Sequence, residues 1–303
     1  MKKDNKITKR GFLKRITALG GVYTGLSFNK HRLTFEPSMS NKDNQSTIKM
    51  PMIKFGKHTI SKFIVGGNQM AWKLKLGESS YNYYDEWNKD YLPFEDALNI
   101  LRMSERNGVN TWQSRGDSHI LHMLFDYRER GGKLYWIGQT ASEVANIPGN
   151  IRTIANNGAI GTYHHGSKTD ELWEQGQIDR VEERLKVIRD TGVMVGLGSH
   201  IPEVLEYAEE KGWDIDFYMA ALRGDENREK MCKFIRQTEK ICLAFKILDA
   251  GRRCKTSEST REAFEYALRN IKKNDAIVVG MFLPYHVVDN IRYIKTIWEE
   301  INT

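Results

Sequence analysis

The sequence predicts an α/β fold built from parallel strands, and three observations carry that expectation. Between Thr191 and Ala220, a short apolar run (Val193 to Leu197) passes through a polar corner into a helix that opens with Pro202. Gly212 stops that helix, and a second apolar run follows, Ile215 to Ala220. Proline is accepted in a first helical turn because the N–H it lacks would be unpaired there anyway. Two strands joined through a helix run parallel, and parallel sheets are buried on both faces. The same alternation recurs through residues 51–303 often enough for eight strands. The length of 303 residues exceeds one ordinary core but suits a single closed barrel. The predicted architecture is therefore a (β/α)8 TIM barrel with an N-terminal β-hairpin.

The elements follow in order. Met52 to Lys62 alternates around Gly56-Lys57 and reads as the hairpin, and Phe63 to Gly66 is the first buried strand. A helix starts at Pro93 and sets Phe94, Ala97, Leu98 and Leu101 on one face. Asn110 to Gln113, Leu134 to Gly138 and Ala159 to Tyr163 give strands two to four. Val181, Leu185 and Ile188 are the buried stripe of the fourth helix. The two runs described above are strands five and six. Met231, Phe234 and Ile235 mark the sixth helix, and Ile241 to Lys246 is strand seven. A capping box from Ser259 to Glu262 opens helix seven, which buries Ala263, Phe264 and Ala267. Ala276 to Val279 is strand eight, and Val287 to Trp298 closes the barrel.

Charge separates a leader from this body. The formal net charge is +7, yet residues 1–35 hold nine Lys/Arg against the single acid Asp4, which leaves the remainder at −1. A nearly neutral body gives a nucleic-acid backbone no electrostatic purchase. Thr8-Lys9-Arg10-Gly11-Phe12-Leu13-Lys14 resembles a twin-arginine export signal with lysine in the first arginine position. The apolar stretch after it, Ile16 to Phe28, is too short and glycine-rich to span a bilayer. Residues 1–35 are thus expected to be an export signal-like leader and 36–50 a polar linker. Residues 51–303 are the barrel, destined for the periplasm without stable membrane insertion. The three cysteines, Cys232, Cys242 and Cys254, lack CxxC spacing and indicate neither a zinc site nor a disulfide framework.

In such barrels the chemistry sits at the carboxyl ends of the strands. Those ends carry Gly67-Asn68-Gln69, Gln113 through Asp117, Gln139-Thr140, His164-His165, Ser199-His200, Lys246 through Arg252, and Gly280-Met281. His164 and His165 are neighbours and point opposite ways, so one faces the mouth. His200 begins a helix, where its charged form is disfavoured. Lys246 ends an apolar strand; it suits a base, an imine or an anion contact, or else an ion pair with Asp249 or Asp117. Asp117 can accept from a substrate hydroxyl, hold a metal or cap a helix. Arg252 can hold a phosphate or lie in solvent. The long loop 67–92, with Trp72, Tyr81, Tyr83, Tyr84, Trp87 and Tyr91, reads as a substrate wall or lid, or as a satellite core.

Several segments taken together resemble the aldo-keto reductase family: Phe63 to Gly67, Gly108 to Trp112, Gly196 to His200, and Val278 to Gly280 followed by Asp289-Asn290. The resemblance implies a nicotinamide cofactor, NAD(P), held around Ser199, His200, Gly251, Arg252, Met281 and Asn290. It also implies a catalytic Asp, Tyr, Lys and His. Gln113 stands where the Asp belongs, and Gly116 to His119 where the Tyr belongs. Gln139-Thr140 takes the place of the Lys, and only His164 or His165 matches the His. The expectation is an exported oxidoreductase-like enzyme acting on a small polar, possibly carbohydrate-derived, substrate without the usual tyrosine. Its catalytic groups would come from His165, Lys246, Asp117 and Gln113, with no metal. A cofactor-free or metal-dependent lyase or isomerase, and a barrel that only binds ligand, are the alternatives.

Overall fold

A computed structural model describes residues 48–70 and 92–303, together with a two-rung antiparallel ladder of β1 (Phe28–Asn29) on β2 (Arg32–Leu33). Apart from that ladder, the leader, linker residues 36–47 and the aromatic loop residues Trp72 to Tyr91 lie outside the described residues. Residues 48–303 form one unit.

That unit is a closed barrel of eight parallel strands: β5 (Phe63–Gly66), β6 (Thr111–Arg115), β7 (Tyr135–Gln139), β8 (Ala159–His164), β9 (Met194–Ser199), β10 (Phe217–Ala221), β11 (Ile241–Phe245) and β12 (Ala276–Gly280). The ring closes where β12 pairs with β5, Ile277 opposite Phe63 and Gly280 opposite Gly66. Nine helices are found among the described residues: α1 (Phe94–Arg106), α2 (Ser118–Glu129), α3 (Ile147–Asn156), α4 (Gly166–Glu174), α5 (Asp179–Asp190), α6 (Pro202–Glu210), α7 (Asp225–Gln237), α8 (Ser257–Asn270) and α9 (Pro284–Asn302). The connection from β8 to β9 holds two of them, where strict alternation predicts one. Gly176, with φ of +65°, makes the break between α4 and α5. The predicted start of α8 also shifts. Thr256 caps the helix in a reciprocal pair with Ser259, three residues before the expected position. A serine hydroxyl replaces the usual Glu side chain in that box, which is why the sequence pattern pointed to Glu262.

The hairpin, β3 (Met52–Phe55) and β4 (His58–Ser61), contributes Ile53, Phe55 and Ile60 to the apolar cluster inside the ring. Phe55 meets Phe217 edge to face at 5.0 Å. Above this layer sit inward polar side chains at the carboxyl ends of the strands. The lower end is closed by partnered polar groups. The buried Lys62 ammonium donates to the carbonyls of Lys272, Lys273 and Asp275 at 3.2, 3.1 and 2.7 Å, and lies 4.0 Å over the Trp298 ring.

Candidate functional site

The end of β8 separates the two adjacent histidines as strand geometry requires. His164 is buried and faces the helical layer. Its Nε2 accepts from Arg184 at 2.7 Å, which forces Nδ1 to carry the proton and donate to the Thr169 hydroxyl at 2.8 Å. Burial, followed by the Arg184 charge, holds its pKa well below the usual value, so it is a neutral structural histidine. His165 faces the mouth. Its Nδ1 is buried without a hydrogen bond among the described residues. Burial, then the charge of Arg115, brings its pKa down to about 4, with smaller effects from His200, Asp170 and Lys246.

His200 reaches the same mouth from the end of β9. Gly198 makes that approach possible: a Cβ built there would lie 3.1 Å from the Gly166 nitrogen and the His164 oxygen. With the two strand ends this close, Asp170 on α4 meets both residues of the Ser199-His200 corner. Its carboxylate accepts from the Ser199 hydroxyl at 2.6 Å, from the His200 backbone N–H at 3.2 Å, and from His200 Nδ1 at 2.6 Å. A carboxylate only accepts, so Nδ1 carries the hydrogen and Nε2 is left as the reactive nitrogen. That Nε2 is buried and has no hydrogen bond among the described residues. The His200 ring rests edge-on against Phe245 at 5.4 Å. The geometry is a carboxylate–imidazole pair of the kind that moves protons.

Lys246 stands just past β11 with a left-handed backbone, φ of +59°, and Asp249 and Ala250 follow at +44° and +56°. Three non-glycine residues in this region store strain of about 1 kcal/mol or more each, and such strain clusters where a loop must aim its groups. Burial, then the neighbouring Arg223, lowers the Lys246 pKa to about 8, while Asp170 and Asp249 oppose the shift. The buried Asp249 carboxylate lies 3.9 Å from Arg223 and 3.5 Å from the mostly exposed Arg252.

Lys246 also lines a small cleft of about 50 Å³ that opens to solvent. Phe245, Ile247, Leu248, Val278, Val279 and Phe282 make its apolar walls, with Gly66, Gly67, Asn68, Gln69, Gln113, Ala250 and Gly280 between them. Beneath the mouth, Gln113 Nε2 donates to the Tyr163 hydroxyl at 2.7 Å, which donates to Gln139 Oε1 at 3.1 Å. A flat aromatic group suits this space, because glycines at 66 and 280 leave bare backbone between the apolar walls. A Cβ at Gly280 would come 2.4 Å from Gln69 Oε1.

The structure brings His165, His200 and Lys246 to one mouth and places Gln113 in the adjoining cleft. Asp117 caps α2 by accepting from the Ile120 N–H at 2.9 Å, and it pairs with Arg115 at 3.2 Å; Arg115 also pairs with Glu143. Of the positions expected around the cofactor, Ser199 and His200 are held by Asp170. Gly251, with φ of +88°, follows the strained loop. Met281 is buried and offers its carbonyl to Gln69, and Asn290 is buried on α9. Arg252 is mostly exposed beside Asp249, and none of these six lines the cleft itself. Asp170 and Tyr163 are absent from the sequence-derived set. Tyr163 lies two residues before His165, so strand periodicity could have placed it on the same side. Asp170 carries no local signal, being one acid among several in α4. Among the described residues, no group of three or more His, Cys, Asp or Glu could hold a metal, and no helix is long and apolar enough to cross a membrane.

No family model and no curated protein matches the chain. Solved structures do match it. A candidate aldo-keto reductase from Pseudomonas aeruginosa superposes with a TM-score of 0.58 at 15% identity, over 84% of this chain and 99% of its own. A mutant of Gox0644 in complex with NADPH gives 0.56 at 12%, over 82% and 93%. A dihydropteroate synthase from Xanthomonas albilineans, in complex with 7,8-dihydropteroate, gives 0.51 at 12%, over 84% and 99%. At such identities the likeness establishes the barrel and leaves its chemistry to the site.

Proposed function

We propose that this chain is an aldo-keto reductase-like oxidoreductase for a small polar carbonyl or alcohol, in which the Asp170–His200 pair takes over the proton transfer of the missing tyrosine. The observation that carries the reading is the 2.6 Å contact of His200 Nδ1 with Asp170, which leaves a buried, unpartnered Nε2 at the barrel mouth. A nicotinamide bound in the cleft would supply or accept the hydride. His200 Nε2 takes the hydroxyl proton when an alcohol is oxidised and returns it to the carbonyl oxygen in reduction. Asp170 stabilises the imidazolium in between. Phe245 covers one edge of that imidazole. Lys246 adds a positive group beside the developing oxyanion. Support comes from the cleft's apolar walls and from a structural neighbour solved in complex with NADPH.

Titration of the purified protein with NADH and NADPH, followed by fluorescence, tests the reading. Saturable binding below millimolar concentration is expected, and no signal in that range removes it. A second reading has its own support, since His165 and His200 are two proton carriers at one mouth and need no cofactor for isomerase or lyase chemistry. Metal content measured in parallel separates the metal-dependent form of that alternative. Export through the twin-arginine-like segment is part of the proposal and rests on Thr8 to Lys14 alone. Arg10→Lys is expected to strand the protein in the cytoplasm, and unchanged export refutes the assignment.

A further inference from the structure

Two glutamine side chains line the cleft, Gln69 and Gln113, and both are more than nine-tenths buried. Gln69 Nε2 donates to the carbonyls of Gly66 and Met281 at 2.7 and 3.1 Å. Carbonyl oxygens can only accept, so these contacts fix which end of the amide is NH2 and leave Oε1 as the free end. Glycine at 280 keeps that oxygen uncovered, since a Cβ there would lie 2.4 Å from it. Gln113 Nε2 donates to the Tyr163 hydroxyl at 2.7 Å, which donates on to Gln139 Oε1 at 3.1 Å, an arrangement that leaves Gln113 Oε1 as its free end. Neither Oε1 has a hydrogen-bond partner among the described residues.

The cleft thus presents two acceptors and no amide donor from these residues, within otherwise apolar walls. Acceptors facing this solvent-open cleft suit a donor-bearing ligand, whereas a ligand oxygen placed against them is repelled. Ser199 Oγ and His200 Nδ1, on the two residues where the family resemblance puts cofactor contacts, are engaged by Asp170.

We infer that Gln69 and Gln113 form a carboxamide-reading end of the cleft, accepting hydrogen bonds from the NH2 of the nicotinamide amide. The inference rests on the dinucleotide reading above, and it assigns recognition of that amide to β6 and the turn after β5. It also predicts discrimination against the otherwise identical dinucleotide that carries nicotinic acid, whose carboxylate offers only acceptors. Sites that pair a buried polar group with a ligand donor reject analogues lacking the donor strongly.

The test uses the full-length wild-type chain and calorimetric titration with two probes, NAD and its deamido analogue. The amide form is expected to bind at least about tenfold more tightly. Equal affinities overturn the inference and leave the dinucleotide reading standing, whereas binding of neither probe overturns both. Gln69→Met, checked for an unchanged thermal midpoint, should narrow the ratio, and Gln113→Met serves if the first variant does not fold. A ratio unchanged in a folded variant overturns the part given to that residue.

Discussion

The two ends of this barrel treat buried polarity in opposite ways. At the lower end each strong polar group named is answered. The Lys62 ammonium spends all three hydrogens on carbonyls, and Asp275 accepts from the backbone of Cys242 and Lys272 at 2.8 Å while pairing with the Lys272 ammonium at 3.0 Å. Asn110 ties β6 to the hairpin by accepting from the Ser61 N–H at 2.7 Å and donating to the Thr59 carbonyl at 3.0 Å. At the upper end, His165 Nδ1 and His200 Nε2 stay unanswered among the described residues, and Lys246, Asp249 and Ala250 hold strained backbones. Satisfied groups hold a fold together; unsatisfied ones are kept at a cost and mark where a ligand or a proton is handled.

The contrast can be broken by mutation at either end. The largest effect is expected from His200→Asn, which keeps a donor toward Asp170 but removes the proton-carrying nitrogen. Dinucleotide-linked turnover should fall about 10²–10⁴-fold with little change in thermal midpoint. A loss of folding in step with activity would move His200 to the structural side. At the lower end, Lys62→Met should do the reverse. Leaving three buried carbonyls without their donor should cost about 2–4 kcal/mol in denaturant unfolding, with activity per folded molecule preserved. Retained stability would show that these carbonyls find other partners.

A smaller and more distributed effect is expected with pH. The folded pKa values of His165 and His286 are brought down to about 4, burial being the largest cause for each, and that of His164 falls in the same direction. The unfolded chain takes up these protons below about pH 6.5 while the native state resists. Stability should therefore be full above pH 6.5 and decline as pH falls from there toward 4. Denaturant midpoints measured across that window check the slope, and His165→Gln should flatten it in part. A slope unchanged by that substitution would mean that His165 titrates normally in the folded protein.

Much of the fold was legible because it is written in local periodicity. Most barrel strands are short apolar runs closed by glycine or a polar turn, although β6 carries Thr111, Gln113, Ser114 and Arg115 around a single Trp112, and each predicted helix that formed shows an apolar stripe. The two misreadings were also local: a serine in a capping box, and a second helix between β8 and β9 where the alternation predicts one. The site was legible only in outline. Strand-end logic brought His165, His200 and Lys246 to one mouth, and strand alternation required His164 and His165 to face opposite ways. Which of the two histidines faced inward needed Arg184 and Thr169 in place.

Sequence alone determined the alternation of elements, and with it a parallel barrel whose carboxyl ends carry the polar residues. Periodicity and chain chirality act over a few residues and can be read one segment at a time. Only the tertiary structure decided that Asp170 would engage His200 from thirty residues away, or that Gln69 and Gln113 would spend their NH2 groups inward. Those outcomes depend on how closely neighbouring strand ends approach, and closure of the ring sets that approach.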